Sequence, residues 1–314
     1  MDGWTGEGEQ PDSLTALIKP VPFHPLVQGR ATGRARYPAE TPATRLGIAI
    51  GRLGFSRFPS TRPPVHPSVL YLCIPAYNEA ETIGVLLWRI RKVFQDYPRD
   101  YEILVYDDGS SDSTGEVLRG YTDVLPLTIL GESGHLGYDR ALDALCRAAA
   151  ARTRYPRRDG LITMQADFTD QPEHLPELIK RFEGGADLVV AERTLPEATP
   201  KAVRRLRWIA SWAARRAGSV AGVNDPFGAL RLYRISLIRD LLKDVGDAPL
   251  AKGQGWAANL SLLLRAAPRA RRVETVSLEP RYDVRMRETR IRPWADGLAL
   301  LRAGRALGPE RPTS

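Results

Sequence analysis

The sequence holds only two cysteines, Cys73 inside an apolar run and Cys146 inside a helical pattern. Two thiols so placed offer neither a disulfide framework nor a cysteine metal site, and they fit a reducing compartment. No run of 18 apolar residues occurs, which excludes a spanning helix, and the basic start and apolar stretch of a secretory leader are missing. Any contact with a membrane is expected from its surface, on the cytoplasmic side. Acidic residues are in deficit: 45 Lys plus Arg face 37 Asp plus Glu, for a net charge of +8. That balance favours anionic partners such as nucleotide phosphates or anionic lipid. A nucleic-acid partner is not expected, because the arginines are not interleaved with a recognised module and three acidic loops line the presumed cleft.

What is present has a clear order. With 43% hydrophobic residues in 314, the chain can bury one large core, so a single α/β domain with extensions is expected. Residues 1–67 are rich in Pro, Gly, Thr and Arg and read as a flexible arm, apart from an apolar patch at Leu46, Ile48, Ile50 and Leu53. Strands are predicted at Val69–Ile74, Tyr101–Tyr106, Leu127–Leu130, Leu161–Met164 and Asp187–Ala191. Helices are predicted between them: one opened by Asn78 and Glu79 with Ile83, Leu86, Leu87, Ile90, Val93 and Phe94 at helical spacing, a short one, one over Tyr138–Arg152 and one over Glu173–Phe182. Such alternation predicts an α/β, Rossmann-like, mostly parallel sheet with helices on both faces, whose ligands bind beyond the carboxyl ends of the strands.

After Thr194 the pattern changes to a basic helix over 201–220, a turn at Asn224-Asp225-Pro226, a segment Phe227–Arg234, a helix ending at Lys243 and a strand over Val273–Leu278. Residues 68–200 are thus expected to bind the nucleotide part of a ligand, 201–305 to face its partner substrate, and 306–314 to fray.

Three strand ends carry the chemistry. At the first, Pro75 fixes the chain direction, Tyr77 offers a ring to a base or ribose, and N–H groups at the helix start suit an anion; an ordinary strand-to-helix turn is the plain alternative. At the second, Asp107 and Asp108 repel each other and are seldom placed together for stability, whereas a carboxylate can accept a nucleobase N–H. Ser111, Asp112 or Ser113 caps the next helix. At the third, Gln165-Ala166-Asp167-Phe168-Thr169-Asp170 suits a hard divalent cation, which needs only one or two carboxylates when phosphates and waters complete its shell. Its plain alternative is an acidic cap on the helix near Pro172.

In this order and at these separations, PAYNE, DDGSSDST and QADFTD-x-PE resemble the inverting family 2 glycosyltransferases of GT-A fold, and the later segments resemble the polyprenyl (dolichyl) phosphate mannose or glucose synthases. The likeness runs from about Val69 to Arg290. It implies a nucleotide-sugar donor such as GDP-mannose or a UDP-hexose, a polyprenyl phosphate acceptor and Mg²⁺ or Mn²⁺. It places Pro75, Ala76, Tyr77, Glu79, Asp107 or Asp108, and Ala166 at the nucleotide. Asp167 becomes the second acid of a D-x-D metal motif, Arg193 an arginine at the donor phosphates and Arg231 an arginine at the acceptor.

Three departures qualify it. Gln165 replaces the first acid of D-x-D, so metal affinity falls or Asp170 helps; Thr169 replaces a residue that is often Gln and can also ligate; Gly228-Ala229-Leu230 replaces Ser-Gly-Phe near the acceptor. A phosphate acceptor is largely dianionic at neutral pH and needs no strong base, while a soluble hydroxyl acceptor would need Asp170 or Asp225. A catalytically weak nucleotide-binding homologue is the alternative that Gln165 leaves open. On the 201–220 helix, Trp208 and Trp212 share a face with Lys201, Arg204, Arg205, Arg215 and Arg216, which predicts a peripheral membrane surface or, alternatively, packing under the arm or in a dimer.

Overall fold

In the computed structural model, which describes residues 68–131, 134–193, 220, 222–253 and 255–278, the first apolar run forms β1 (Val69–Ala76). Leu70, Leu72, Ile74 and Ala76 enter one hydrophobic cluster, and Tyr71 and Cys73 enter another on the opposite face. A parallel strand covered by helices on both sides must bury both faces, which is why this stretch reads as a continuous run. The chain continues through α1 (Ala80–Asp96), β2 (Asp100–Asp107), α2 (Thr114–Tyr121), β3 (Leu127–Leu130), α3 (Tyr138–Arg152) and β4 (Gly160–Thr163). A 3₁₀ turn at Pro172–His174 leads into α4 (Leu175–Glu183), followed by β5 (Leu188–Arg193), β6 (Arg231–Arg234), α5 (Ile235–Val245), α6 (Trp256–Ala266) and β7 (Val273–Leu278).

These strands make a seven-stranded sheet in the order β3-β2-β1-β4-β6-β5-β7. β1 runs parallel to β2 and β4, β2 to β3, and β5 to β7, while β6 lies antiparallel between β4 and β5. The expected mostly parallel sheet is therefore found, with β6 reversed. One face is covered by Ile83, Leu86, Leu87 and Ile90 of α1, Leu118 of α2 and Leu178 of α4; the other by Leu145 of α3, Ile238 of α5 and Leu262 of α6. The four α1 residues are each at 0% exposure, and each such side chain contributes about 1.5–3 kcal/mol of transfer free energy. Cys73 and Cys146 are both buried and unpaired, and burial pushes both thiols well above their ordinary range, as for inert core residues.

The differences from sequence expectation are local and have physical causes. Helix α6 has no counterpart in the expectation, because Trp256–Ala266 is buried over Ala257–Leu263 and shows little of the apolar-polar alternation that marks a helix facing water. The fourth helix begins at Leu175 because Pro172 and Pro176 hold the preceding residues in a tighter 3₁₀ turn. The 227–230 segment is loop and turn, and pairing starts only at Arg231. The expected 1–67 arm, the 201–220 helix with Trp208 and Trp212 save for Val220, and the 306–314 tail lie outside the described residues.

Candidate active site

Three loops meet where β1, β2 and β4 end, and hydrogen bonds between side chains and backbone lace the first two together. Asn78 adopts φ 53°, a left-handed conformation that asparagine tolerates better than most residues. Its N–H donates to Ser110 Oγ at 3.0 Å, and its Oδ1 accepts the Ser111 N–H at 2.8 Å. The Glu79 N–H donates to Thr114 Oγ1 at 2.8 Å. Asp112 accepts the Thr114 N–H at 3.0 Å and the Ala80 N–H at 3.2 Å, so one carboxylate serves the starts of both α1 and α2. Burial would raise its pKa, but hydrogen bonds from Thr114 and Ala80 outweigh that and hold it below the usual aspartate value. Of the three capping candidates in the sequence, Asp112 is the one whose side chain bonds to helix-start N–H groups.

The adjacent acids at the end of β2 diverge. Asp107 accepts the Ser110 N–H at 3.1 Å and turns towards α2, where a methyl group on Gly115 would stand 3.2 Å from its Oδ2. Asp108 turns the other way and is 3% exposed. It accepts the Leu136 N–H at 2.7 Å and the Gly137 N–H at 2.9 Å, and His135 Nδ1 stands 2.8 Å from its Oδ2. Two glycines allow this approach. A Cβ on Gly131, at φ 137°, would sit 2.2 Å from the Asp107 carbonyl oxygen, and one on Gly109, at φ 70°, would sit 2.7 Å from the Gly134 backbone carbon. The His135 ring lies against Tyr77, with centroids 4.2 Å apart and planes at 33°. A carboxylate and two rings from three separate segments thus share one corner of the cleft.

The third loop folds on itself. Phe168 is at φ 60° and buried. Asp167 Oδ1 accepts the Thr169 N–H at 2.9 Å, and Asp170 Oδ2 accepts the Gln165 N–H at 3.1 Å. Asp170 is buried, as is Ala166, whereas Gln165, Asp167 and Thr169 remain partly exposed. Oxygen donors from these three residues fit a hard divalent cation that takes its remaining ligands from phosphates and water. No group of three or more His, Cys, Asp or Glu side chains suited to a metal occurs among the described residues.

Behind this loop is a buried polar cluster that sequence reasoning only half located. Arg231 is 1% exposed. Its Nη2 donates to the Pro226 carbonyl at 2.5 Å, its Nη1 donates to the Asn259 carbonyl, and its Nε lacks a partner among the described residues. Asn259, itself 2% exposed, accepts the Tyr138 hydroxyl at 3.0 Å. Burial, reinforced by the nearby Asp170 carboxylate, raises the Tyr138 pKa far above its ordinary value, so the phenol stays protonated and donates. Glu192 at the end of β5 accepts both the backbone and side-chain N–H groups of Asn224. Arg193 closes β5 through its backbone pairing with Leu278, and its side chain lies outside the described structure.

The glycosyl transferase family 2 pattern matches residues 71–242, more than half of the chain. The chain belongs to glycosyl transferase family 2. It is 30% identical over 187 residues to a dodecaprenyl-phosphate galacturonate synthase of Rhizobium johnstonii, covering 58% of this chain and 52% of that one. It is 29% identical over 180 residues to an undecaprenyl-phosphate 4-deoxy-4-formamido-L-arabinose transferase of Pseudomonas fluorescens, covering 57% of this chain and 50% of that one. The chain thus spans about half the length of the curated relatives it matches. Its fold is similar to that of glucosyl-3-phosphoglycerate synthase from Mycobacterium tuberculosis solved with uridine diphosphate, at TM-score 0.53 and 19% identity over 78% of this chain and 82% of that one. The sheet is that of a GT-A transferase.

Pro75, Ala76, Tyr77, Glu79, Asp108, Ala166, Asp167 and Asp170 all lie at or just beyond the ends of β1, β2 and β4, as their positions in sequence imply. Asp107 is set apart by its turn towards α2. Arg231 is buried and bonded to the Pro226 carbonyl of the 225–228 loop. His135, Tyr138 and Asn259 are absent from the site residues expected from sequence. His135 carried a weak signal, as a titratable residue between Gly134 and Gly137 after a strand; Asn259 carried none, because nothing local distinguishes it from other residues of an apolar helix.

Proposed function

We propose that the chain transfers a sugar, with inversion, from a nucleoside diphosphate donor to a polyprenyl phosphate. The observation that carries this reading is the meeting of the Tyr77, Asp108 and Asp167 loops at the ends of three parallel strands. The curated relatives named above, both of them prenyl-phosphate sugar enzymes by name, support the acceptor class. In this reading the base lies against Tyr77 and donates its ring N–H to Asp108, while Asp107 serves α2. Glu79, Pro75, Ala76 and Ala166 shape the floor of the nucleotide site.

Asp167 anchors Mg²⁺ or Mn²⁺, with Gln165 and Thr169 as neutral oxygen donors; the bound ion supplies positive charge for the departing pyrophosphate. Arg193 adds to that charge from the end of β5. Arg231 acts from beneath: its buried guanidinium projects positive potential towards the acceptor side, and its bonds to Pro226 and Asn259 fix the loop above it. A phosphate acceptor needs no strong base, so Asp170 serves to shape the loop through the Gln165 N–H.

Among the described residues no helix is long and apolar enough to cross a membrane. We assign surface contact with the lipid to the 201–220 segment, on the strength of Trp208 and Trp212 among its arginines. The deciding experiment incubates the full chain with UDP- and GDP-sugars, Mn²⁺ and a short polyprenyl phosphate, and measures nucleotide release and lipid-linked sugar. Transfer to the lipid phosphate is expected. Nucleotide release only with a hydroxyl acceptor, or none with any donor, would overturn the reading. Flotation with anionic vesicles tests the surface contact, which Trp208→Ala with Trp212→Ala should abolish.

A further inference from the structure

We infer that His135 is an internal competitor for the nucleobase: its imidazole holds the two contacts that a base needs. The inference rests on reading Tyr77 and Asp108 as the base site. The imidazole covers a face of Tyr77 at 4.2 Å between centroids. Its Nδ1 also stands 2.8 Å from Asp108 Oδ2 and 3.3 Å from the Asp108 carbonyl oxygen.

The three groups bonded to the Asp108 carboxylate differ in permanence. A carboxylate has about four acceptor positions. Two are filled by the Leu136 and Gly137 N–H groups, which are backbone and held by the close approach of Gly131 and Gly134 to the β2 turn. The third is filled by a side chain that is 54% exposed, whereas Asp108 is 4% exposed by the same measure. The backbone bonds therefore stay when a ligand arrives, and the imidazole is free to swing into water.

A base exchanges like for like with this occupant, replacing a ring on Tyr77 and an N–H on Asp108 with its own. Its net gain is the difference between the two sets of contacts, so His135 lowers the apparent affinity for every nucleotide by the fraction of time it occupies the site. Inorganic pyrophosphate has no base and does not compete with it. A nucleobase that offers no N–H at this edge recovers the stack alone and leaves Asp108 short of a donor, which widens the gap between well-matched and poorly matched bases.

The test is calorimetric binding of UDP, GDP and inorganic pyrophosphate, each with Mn²⁺, to the full chain. His135→Ala should tighten UDP or GDP by about three- to tenfold, the range expected when a competing aromatic pair is removed, and leave pyrophosphate unchanged. His135→Phe keeps the stack without the donor and should fall between the two. Weaker or unchanged nucleotide binding in His135→Ala overturns the inference, since His135 would then be a wall of the site or a bystander. Tyr77→Leu isolates the underlying reading: it should weaken the nucleotides and spare pyrophosphate. If it spares the nucleotides as well, the base site itself is misplaced; if it weakens them while His135→Ala does not tighten them, only the competition falls.

Discussion

Replacing Asp167 by asparagine separates the chemistry of the third loop from its folding, because the structure shows what the substitution keeps. The side chain is partly exposed, and its contact in the loop is the Thr169 N–H, accepted by Oδ1 at 2.9 Å. Asparagine has the same shape and retains an amide oxygen at that place, so the turn around Phe168 should persist. The expected stability change is within about 0.5 kcal/mol, or about 2 °C in Tm for a domain of this size. What asparagine removes is the full negative charge proposed above to anchor the metal ion. The neighbouring candidates cannot replace it: Gln165 and Thr169 are neutral, and Asp170 is buried and bonded to the Gln165 N–H. Loss of one well-placed electrostatic contact typically costs about 10²–10³ in kcat. The assay is nucleotide release at saturating donor with a Mn²⁺ titration, alongside thermal melting. Wild-type turnover in Asp167→Asn, or activity that ignores Mn²⁺ in both proteins, would refute the anchoring role; a large fall in Tm would show that the charge serves the fold.

Gln165→Asp should tighten Mn²⁺ binding in the presence of UDP by restoring a second acid to the loop, and a titration identical to wild type would mean that residue 165 does not face the ion. Gly131→Ala should lower stability by about 1–3 kcal/mol or more and weaken nucleotide binding with it, since its Cβ would meet the Asp107 carbonyl at 2.2 Å and its φ is 137°; a wild-type melting curve would contradict that packing. Asn259→Ala should cost about 1–3 kcal/mol by leaving the Tyr138 hydroxyl without its acceptor, and Asn259→Asp should recover part of the loss; denaturant unfolding measures both. Asp112 has a folded pKa below its unfolded one, so its contribution is present above the ordinary aspartate value and is lost as pH falls through the lower folded value. Acid unfolding of Asp112→Asn should accordingly show a weaker pH dependence in that window than wild type.

The sequence by itself determined the order of most elements and placed its candidate residues at the ends of β1, β2 and β4. A strand buried on both faces must be apolar throughout, and a run of oxygen-bearing side chains at a strand end stands out against it, so β1 and the Asp167 loop are both visible within a few residues. Strands β3 and β7 and helix α3 begin and end where the local pattern places them. Tertiary structure decided what local pattern cannot encode. Asp107 and Asp108 are chemically identical neighbours, and only the close approach of the Gly131 and Gly134 backbone to the β2 turn assigns one to a helix and the other to the cleft. That Arg231 is held by the carbonyls of Pro226 and Asn259, the latter 28 residues further along the chain, is equally invisible to local pattern. Helix α6 and its Asn259 stayed hidden for the same reason: burial on nearly all sides erases the periodicity that reports a helix, and a hydrogen bond to Tyr138 across 121 residues exists only once the sheet has brought both ends together.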